Sequence, residues 1–330
     1  MTLGVKAALR NVCPPEIWGA MAALRDKVIG TPTSMPTIGS ANAALSRHIT
    51  PQEYWSGYHV EIPTDGFSSV DDSLEQFDWR NHQYPGYIEL MPVDQANDLV
   101  VMDYGCGPGN DVVGFGHFSK PRELHAVDVS RKAIEIARNR ATHHGIPVTF
   151  HNIKEAPVSI PLESKSLDLI HSSGVLHHTP DPLAILKEFR RLIKDDGYAQ
   201  IMVYHYDSLW MHLFTAHKMM LVQGLYQGLS KREAYEKTMD GEDCPIALCY
   251  ASQEFIDLAR EAGFGCEFTG ASMSILELEL LPTRFEAIRD RRLDTESRKF
   301  LCDLTFNDRG WPLHNGVVAG VNACFRLNPV

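Results

Sequence analysis

The chain has 330 residues, room for one large domain or for a core with sizeable additions. Lys and Arg number 31 against 42 Asp and Glu, a net charge of -11, and no basic cluster is present. That argues against a nucleic-acid partner, which is bound chiefly through clustered Lys and Arg, and favours a small or cationic substrate. Seven cysteines, odd in number and without a C-x-x-C pair, argue against a disulfide framework and a thiolate zinc site. Cys244 and Cys249 read as reduced thiols, and no metal is expected. No signal-peptide-length apolar segment lies between Met1 and Arg25 and no run of ~18 apolar residues occurs anywhere, so the expectation is a cytoplasmic protein with no membrane partner.

Residues 1–94 read as an N-terminal helical cap segment. It opens with a short amphipathic helix, Glu16 to Val28, and a surface linker rich in Pro, Thr, Ser and Gly. Tyr54, Trp55, Tyr58 and His59 gather aromatic weight before a turn at Pro63 to Gly66. A helix is predicted from Asp71 to about Met91, with Asp71 and Asp72 suited to its N-terminus.

The next stretch organises the chain. Leu99 to Met102 is an unbroken apolar run suited to a strand buried on both faces, and Asp103-Tyr-Gly105-Cys106-Gly107-Pro-Gly109 follows it. Glycines allow positive φ and close approach of a ligand, and the helix opening near Asn110 aims unpaired N–H groups at it. The spacing departs from the dinucleotide fingerprint G-x-G-x-x-G, because the third glycine arrives one residue early, and an acid at the strand end suits an ammonium or sulfonium better than a pyrophosphate.

At these residues the chain resembles the class I S-adenosylmethionine-dependent methyltransferases, whose first motif, D/E-x-G-x-G-x-G, is filled without a gap. The resemblance implies a Rossmann-like, seven-stranded, mostly parallel α/β sheet with helices on both faces. It also implies S-adenosyl-L-methionine as cofactor, held by Asp103, Gly105, Cys106, Gly107 and Gly109. In related enzymes an N-terminal helix lies over the cofactor, which makes Arg80 and Tyr84 candidates to reach its carboxylate.

Strand and helix then alternate through a methyltransferase domain expected over residues 95–330. Leu124 to Asp128 is the second strand, and Asp128 and Val129 stand about twenty residues past the glycine turn, where an acid accepts both ribose hydroxyls of a nucleoside. The third strand, Pro147 to His151, delivers Asn152, the preferred adenine contact, with Glu155 as the alternative. The fourth, Leu167 to His171, leads into Ser172-Ser-Gly-Val-Leu-His177-His178-Thr-Pro-Asp181, which resembles the post-strand motif of the small-molecule branch that includes quinone-biosynthesis methyltransferases. Ser173, Gly174 and His177 are thus expected beside the methionine end. The fifth strand is predicted over Tyr198 to Tyr204.

A long helical insertion, rich in Tyr, His, Trp and Met, begins at His205 and runs to about Thr238. With the turn-rich return Asp240 to Tyr250 it forms a substrate-side insertion over 205–250. Tyr204, Tyr206 and Trp210 are its expected substrate contacts. A sixth strand, Gly265 to Ala271, a second insertion at 275–314 and a last strand, Val317 to Arg326, complete the chain.

Methyl transfer by in-line displacement asks the protein to align the nucleophile and exclude water. A general base is needed only for an acceptor that must lose a proton. His177 is the leading candidate, expected to touch the reacting groups while His178 supports the turn, with His205, Tyr206 and Asp207 as rivals. The acceptor is a small molecule attacking through O, N, S or C. A nicotinamide-dependent oxidoreductase and a non-catalytic adenosylmethionine binder are the alternatives, and a homo-oligomer is left open.

Overall fold

Val100–Tyr104 (β1) is buried along its whole length, and alternate residues feed two cores. Val100 and Met102 point into one, Val101 into the other, the signature of a central parallel strand covered on both faces. The computed structural model describes residues 50–57, 66–241 and 243–330, all within one unit, Ile49–Val330. The predicted helix Glu16 to Val28, Tyr58, His59 and Pro63 lie outside the described residues.

Glu123–Asp128 (β2), Thr149–Asn152 (β3), Leu167–Ser173 (β4) and Ile193–Tyr204 (β5) extend the sheet in parallel. Phe264–Ser272 (β6) and, later in the chain, Asn322–Pro329 (β10) finish it, giving the order β3-β2-β1-β4-β5-β10-β6 with β10 antiparallel to both neighbours. Helices Asn110–Phe118 and Arg131–His144 bury Val112, Phe115 and Ile134 on one face; Pro182–Leu192 and Ser252–Glu261 bury Ile185, Phe189 and Phe255 on the other. The Rossmann-like sheet expected from the sequence is therefore present. The strand order reverses between β1 and β4, so a crevice opens at that edge.

Several boundaries differ from expectation. The helix predicted over Asp71 to Met91 is two, Val70–His82 and Tyr87–Leu90. Pro85 cannot donate to a helical ladder and Gly86 sits at φ 83°, so the chain turns there. The last strand is not Val317 to Arg326: Val317–Val318 (β9) belongs to a separate three-stranded sheet with Thr305–Phe306 (β7) and Pro312–His314 (β8). The chain breaks strand geometry at Gly320, where a Cβ would lie 2.2 Å from the Ser272 carbonyl oxygen. The second insertion is accordingly helical only from Ile275 to Cys302 and ends in that small sheet. The first insertion starts with a π-helix, Trp210–Val222, and continues in helix Lys231–Thr238.

Glu277 ties these additions to the sheet. It is fully buried, and it accepts backbone N–H groups from Ser274 (2.8 Å), Trp210 (2.9 Å) and Val321 (3.2 Å). Among the described residues no helix is long and apolar enough to cross a membrane.

Candidate active site

A cavity of about 280 Å³ opens along the edge formed by the C-terminal ends of β1, β2, β4 and β5 and the start of β10. The Asn322 end of β10 lies opposite Tyr204, so its antiparallel direction brings an N-terminal residue to the same edge.

The glycine turn forms the floor. Gly105, Gly107 and Gly109 all have positive φ, at 75°, 50° and 87°. Their tasks differ. A Cβ on Gly105 would fall 2.2 Å from Val175, and one on Gly109 would fall 2.9 Å from Ala137, so these two permit close packing; a Cβ on Gly107 would meet nothing within 4 Å. Gly105, Cys106 and Gly107 line the cavity, whereas Gly109 serves the helix–helix contact behind it.

Asp128 ends β2 in the cavity wall. One carboxylate oxygen accepts the Gly107 N–H (2.8 Å) and the other the Ser130 N–H (2.7 Å). Burial pushes its pKa up while those backbone N–H groups pull it back. A carboxylate has about four acceptor sites, so each oxygen keeps capacity for a ligand hydroxyl. Val129 and Ile153 flank it with apolar surface.

Asn152 is not brought to the cavity. Its amide donates to the carbonyls of Asp128 (3.1 Å) and Val129 (3.0 Å), fastening β3 to β2, while Glu155 lines the cavity in its place.

Over the first strand end sits an ion network that the sequence only partly disclosed. Arg80 approaches Asp111 at 3.4 Å, donates to Ser173 Oγ at 3.0 Å and lies 4.7 Å from the Tyr87 ring centroid. Tyr87 and Ser173 share a short hydroxyl–hydroxyl hydrogen bond. Burial would raise the Asp111 pKa, but Arg80 and His171, 3.3 Å away, hold it below the usual carboxylate range. Asp103 is also buried, with one oxygen lacking any partner. Burial and then the Asp111 and Asp128 charges push its pKa well up. Arg80, Tyr84, Ser173 and Gly174, all expected at this site, line the cavity; Tyr87 and Asp111 join them unforeseen.

On the opposite side the two adjacent histidines have positions the reverse of those expected. His177 is fully buried, its ring 3.7 Å from that of Tyr204, with neither nitrogen hydrogen-bonded; burial, then His178, drives its pKa well down. His178 lines the cavity with Tyr204. Successive residues of the 3₁₀ turn Leu176–His178 point about a third of a turn apart, so only one imidazole faces the crevice.

His178 Nδ1 lies 2.7 Å from the Ile246 carbonyl oxygen, which can only accept, so Nδ1 carries a proton, and burial, which pushes the His178 pKa down, favours a lone pair on Nε2. Nε2 faces Asp240 at 3.4 Å, and Asp240 accepts the Tyr204 hydroxyl at 2.7 Å. Cys244 completes a buried His–Asp–Cys group. Its thiol, pushed up to about 12 by burial, stays protonated and donates to Ile246.

The remaining expected residues stand off the cavity. His205 is buried with Nδ1 3.1 Å from the Gly320 carbonyl oxygen, Tyr206 donates to Glu296, and the Trp210 indole donates to Thr238. The insertion contributes its return segment, through Asp240, instead of its aromatic helix.

A family model described as a methyltransferase domain matches residues 95–263. An uncharacterized methyltransferase of Schizosaccharomyces pombe is 30% identical over 145 residues, covering 41% of this chain and 51% of that protein. A ubiquinone biosynthesis O-methyltransferase of Nitrosomonas europaea is 23% identical over 153 residues, covering 42% and 64%. The chain thus spans less than two thirds of the length of either relative. Among solved structures, the YcgJ protein of Bacillus subtilis aligns with a TM-score of 0.47 at 15% identity, over 73% of this chain and 97% of that one. With the family match spanning just over half of its length, the chain belongs to the methyltransferase-domain family of S-adenosylmethionine-dependent proteins.

Proposed function

We propose that this chain is a cytoplasmic enzyme that transfers the methyl group of S-adenosylmethionine to a small-molecule acceptor. The observation that carries the reading is the pairing of the Asp128 carboxylate with the open face of the Gly105–Gly107 turn in one cavity wall. The donor set suits the cofactor from end to end. Asp128 would take the ribose hydroxyls, Val129 and Ile153 would flank the adenine, and Arg80 with Ser173 would meet the carboxylate.

When bound, the cofactor supplies a methyl group made electrophilic by a sulfonium. The chain's own task is alignment: Tyr204, His178 and Asp240 bound the side from which an acceptor would approach, and Trp55 and Tyr84 help to enclose it. Holding reactants in line accounts for much of the barrier reduction in such displacements.

Calorimetric titration tests the reading. Adenosylhomocysteine should bind with one site per chain and NAD should not; tight NAD binding with no response to adenosylhomocysteine would overturn it.

A further inference from the structure

Among the described residues, neither lysine nor arginine lines the acceptor half of the cavity. Four carboxylates line the whole cavity (Asp111, Asp128, Glu155 and Asp240) against one guanidinium, Arg80, which is already paired with Asp111. Asp128 and Glu155 stand at the end near β2 and β3, leaving Asp240 as the acid on the side of β5 and β10. The basic side chain facing it among the described residues is His178, whose Nδ1 is committed to the Ile246 carbonyl and whose pKa burial pushes down, which favours a neutral ring with its lone pair on Nε2. Two acceptors therefore face each other across 3.4 Å, an arrangement that a ligand bearing several N–H donors and a positive charge would resolve. The surroundings suit the same ligand, since Tyr204, Tyr84 and Trp55 bring aromatic surface to this end, and ring faces attract ammonium groups.

Resting on the methyltransferase reading above, we propose that the acceptor is an amine, captured as its ammonium by Asp240, His178 and the Tyr204 ring, and methylated on nitrogen. His178 Nε2 takes one ammonium proton, freeing the nitrogen lone pair. That pair forms the new N–C bond as the C–S bond breaks, and the C–S electrons stay on sulfur, leaving a neutral thioether. The product is the methylated ammonium, and the proton on His178 returns to solvent. Asp240 is the group that holds the charge, and the Tyr204 hydroxyl, donating to it, fixes its orientation.

The test compares benzylamine, a cation at neutral pH, with benzyl alcohol of the same shape, each titrated calorimetrically into full-length protein saturated with adenosylhomocysteine. The amine should bind at least tenfold more tightly than the alcohol. Asp240→Asn should shrink that preference below threefold with adenosylhomocysteine affinity unchanged. Equal binding of amine and alcohol, binding of neither while adenosylhomocysteine binds, or an intact preference in Asp240→Asn would overturn the proposal. Should Asp240→Asn fail to fold, the wild-type comparison decides alone. Failure of adenosylhomocysteine to bind would instead remove the methyltransferase reading, and the same two titrations without it would still decide whether the pocket prefers a cation.

Discussion

The two halves of the cavity are built by different rules. The half over β1 and β2 comes from one strand–turn–helix–strand unit, Val100 to Asp128, and its contacts are largely backbone: positive φ at three glycines and two N–H groups on one carboxylate. The half over β5 and β10 is assembled from side chains far apart in sequence, Tyr84, His178, Tyr204, Asp240 and Asn322. Recognition of a common ligand can be written locally. Recognition of a particular acceptor depends on tertiary packing and can vary without disturbing the first half.

The sharpest challenge to this division is Gly105→Ala. Its Cβ would overlap Val175 at 2.2 Å in a positive-φ backbone, so strain and overpacking together should cost about 2 to 5 kcal/mol of stability, while Gly107→Ala, with open space, should cost only about 1 to 2 kcal/mol. Urea unfolding of both variants would reveal the contrast; equal losses would mean that the turn's geometry is not what the two glycines share.

Next in size is Glu277, which anchors the acceptor-side additions. Burial pushes its pKa up to about 7 from an ordinary 4.5. The folded state therefore holds its proton more tightly than the unfolded state. The resulting stabilisation is complete below pH 4.5 and is lost as pH rises through about 7, a difference of about 3 kcal/mol. In Glu277→Gln that slope should flatten. Midpoints of urea unfolding between pH 4 and 8, compared with wild type, would show it, and parallel curves would count against a raised pKa.

Asp128→Ala should weaken adenosylhomocysteine binding by roughly 1.5 to 3 kcal/mol, the range for hydrogen bonds to a charged group. An unchanged dissociation constant would reduce Asp128 to a brace for the turn. The smallest effect is expected at His177. Because neither of its nitrogens has a partner, His177→Phe should change stability by no more than about 1 kcal/mol and leave adenosylhomocysteine affinity alone. A large loss of affinity would return His177 to the reacting centre.

The sequence disclosed the first half well. Gly105 and Gly107 lie in one turn and Asp128 one crossover away, and the unbroken apolar run Leu99 to Met102 left little freedom in how they meet. The helix opening near Asn110 was legible, but the ion pair of its Asp111 with Arg80 depends on the packing of helix Val70–His82 over the sheet. The histidine pair showed that two imidazoles must diverge, yet which of them faced the crevice depended on the phase of a three-residue 3₁₀ turn. Asp240 gave no local signal, since its partners are at positions 178 and 204. Tyr206 and Trp210 misled because an aromatic helix fits equally a pocket wall and the packing of an added layer; here they meet Glu296 and Thr238.

The placement of β10 between β5 and β6 has a consequence for how the chain is made. It is the last strand of the sheet to be synthesised, and it fills a central position. Until it emerges, β5 and β6 each expose an unpaired strand edge, and the Asn322 and Tyr204 ends of the cavity cannot meet. The glycine turn and Asp128, by contrast, can form early from neighbouring segments. A nascent chain would thus pass through a stage with an assembled glycine-turn half and a sticky, open sheet. It is then that chaperone contact or edge-to-edge aggregation would compete most strongly with folding.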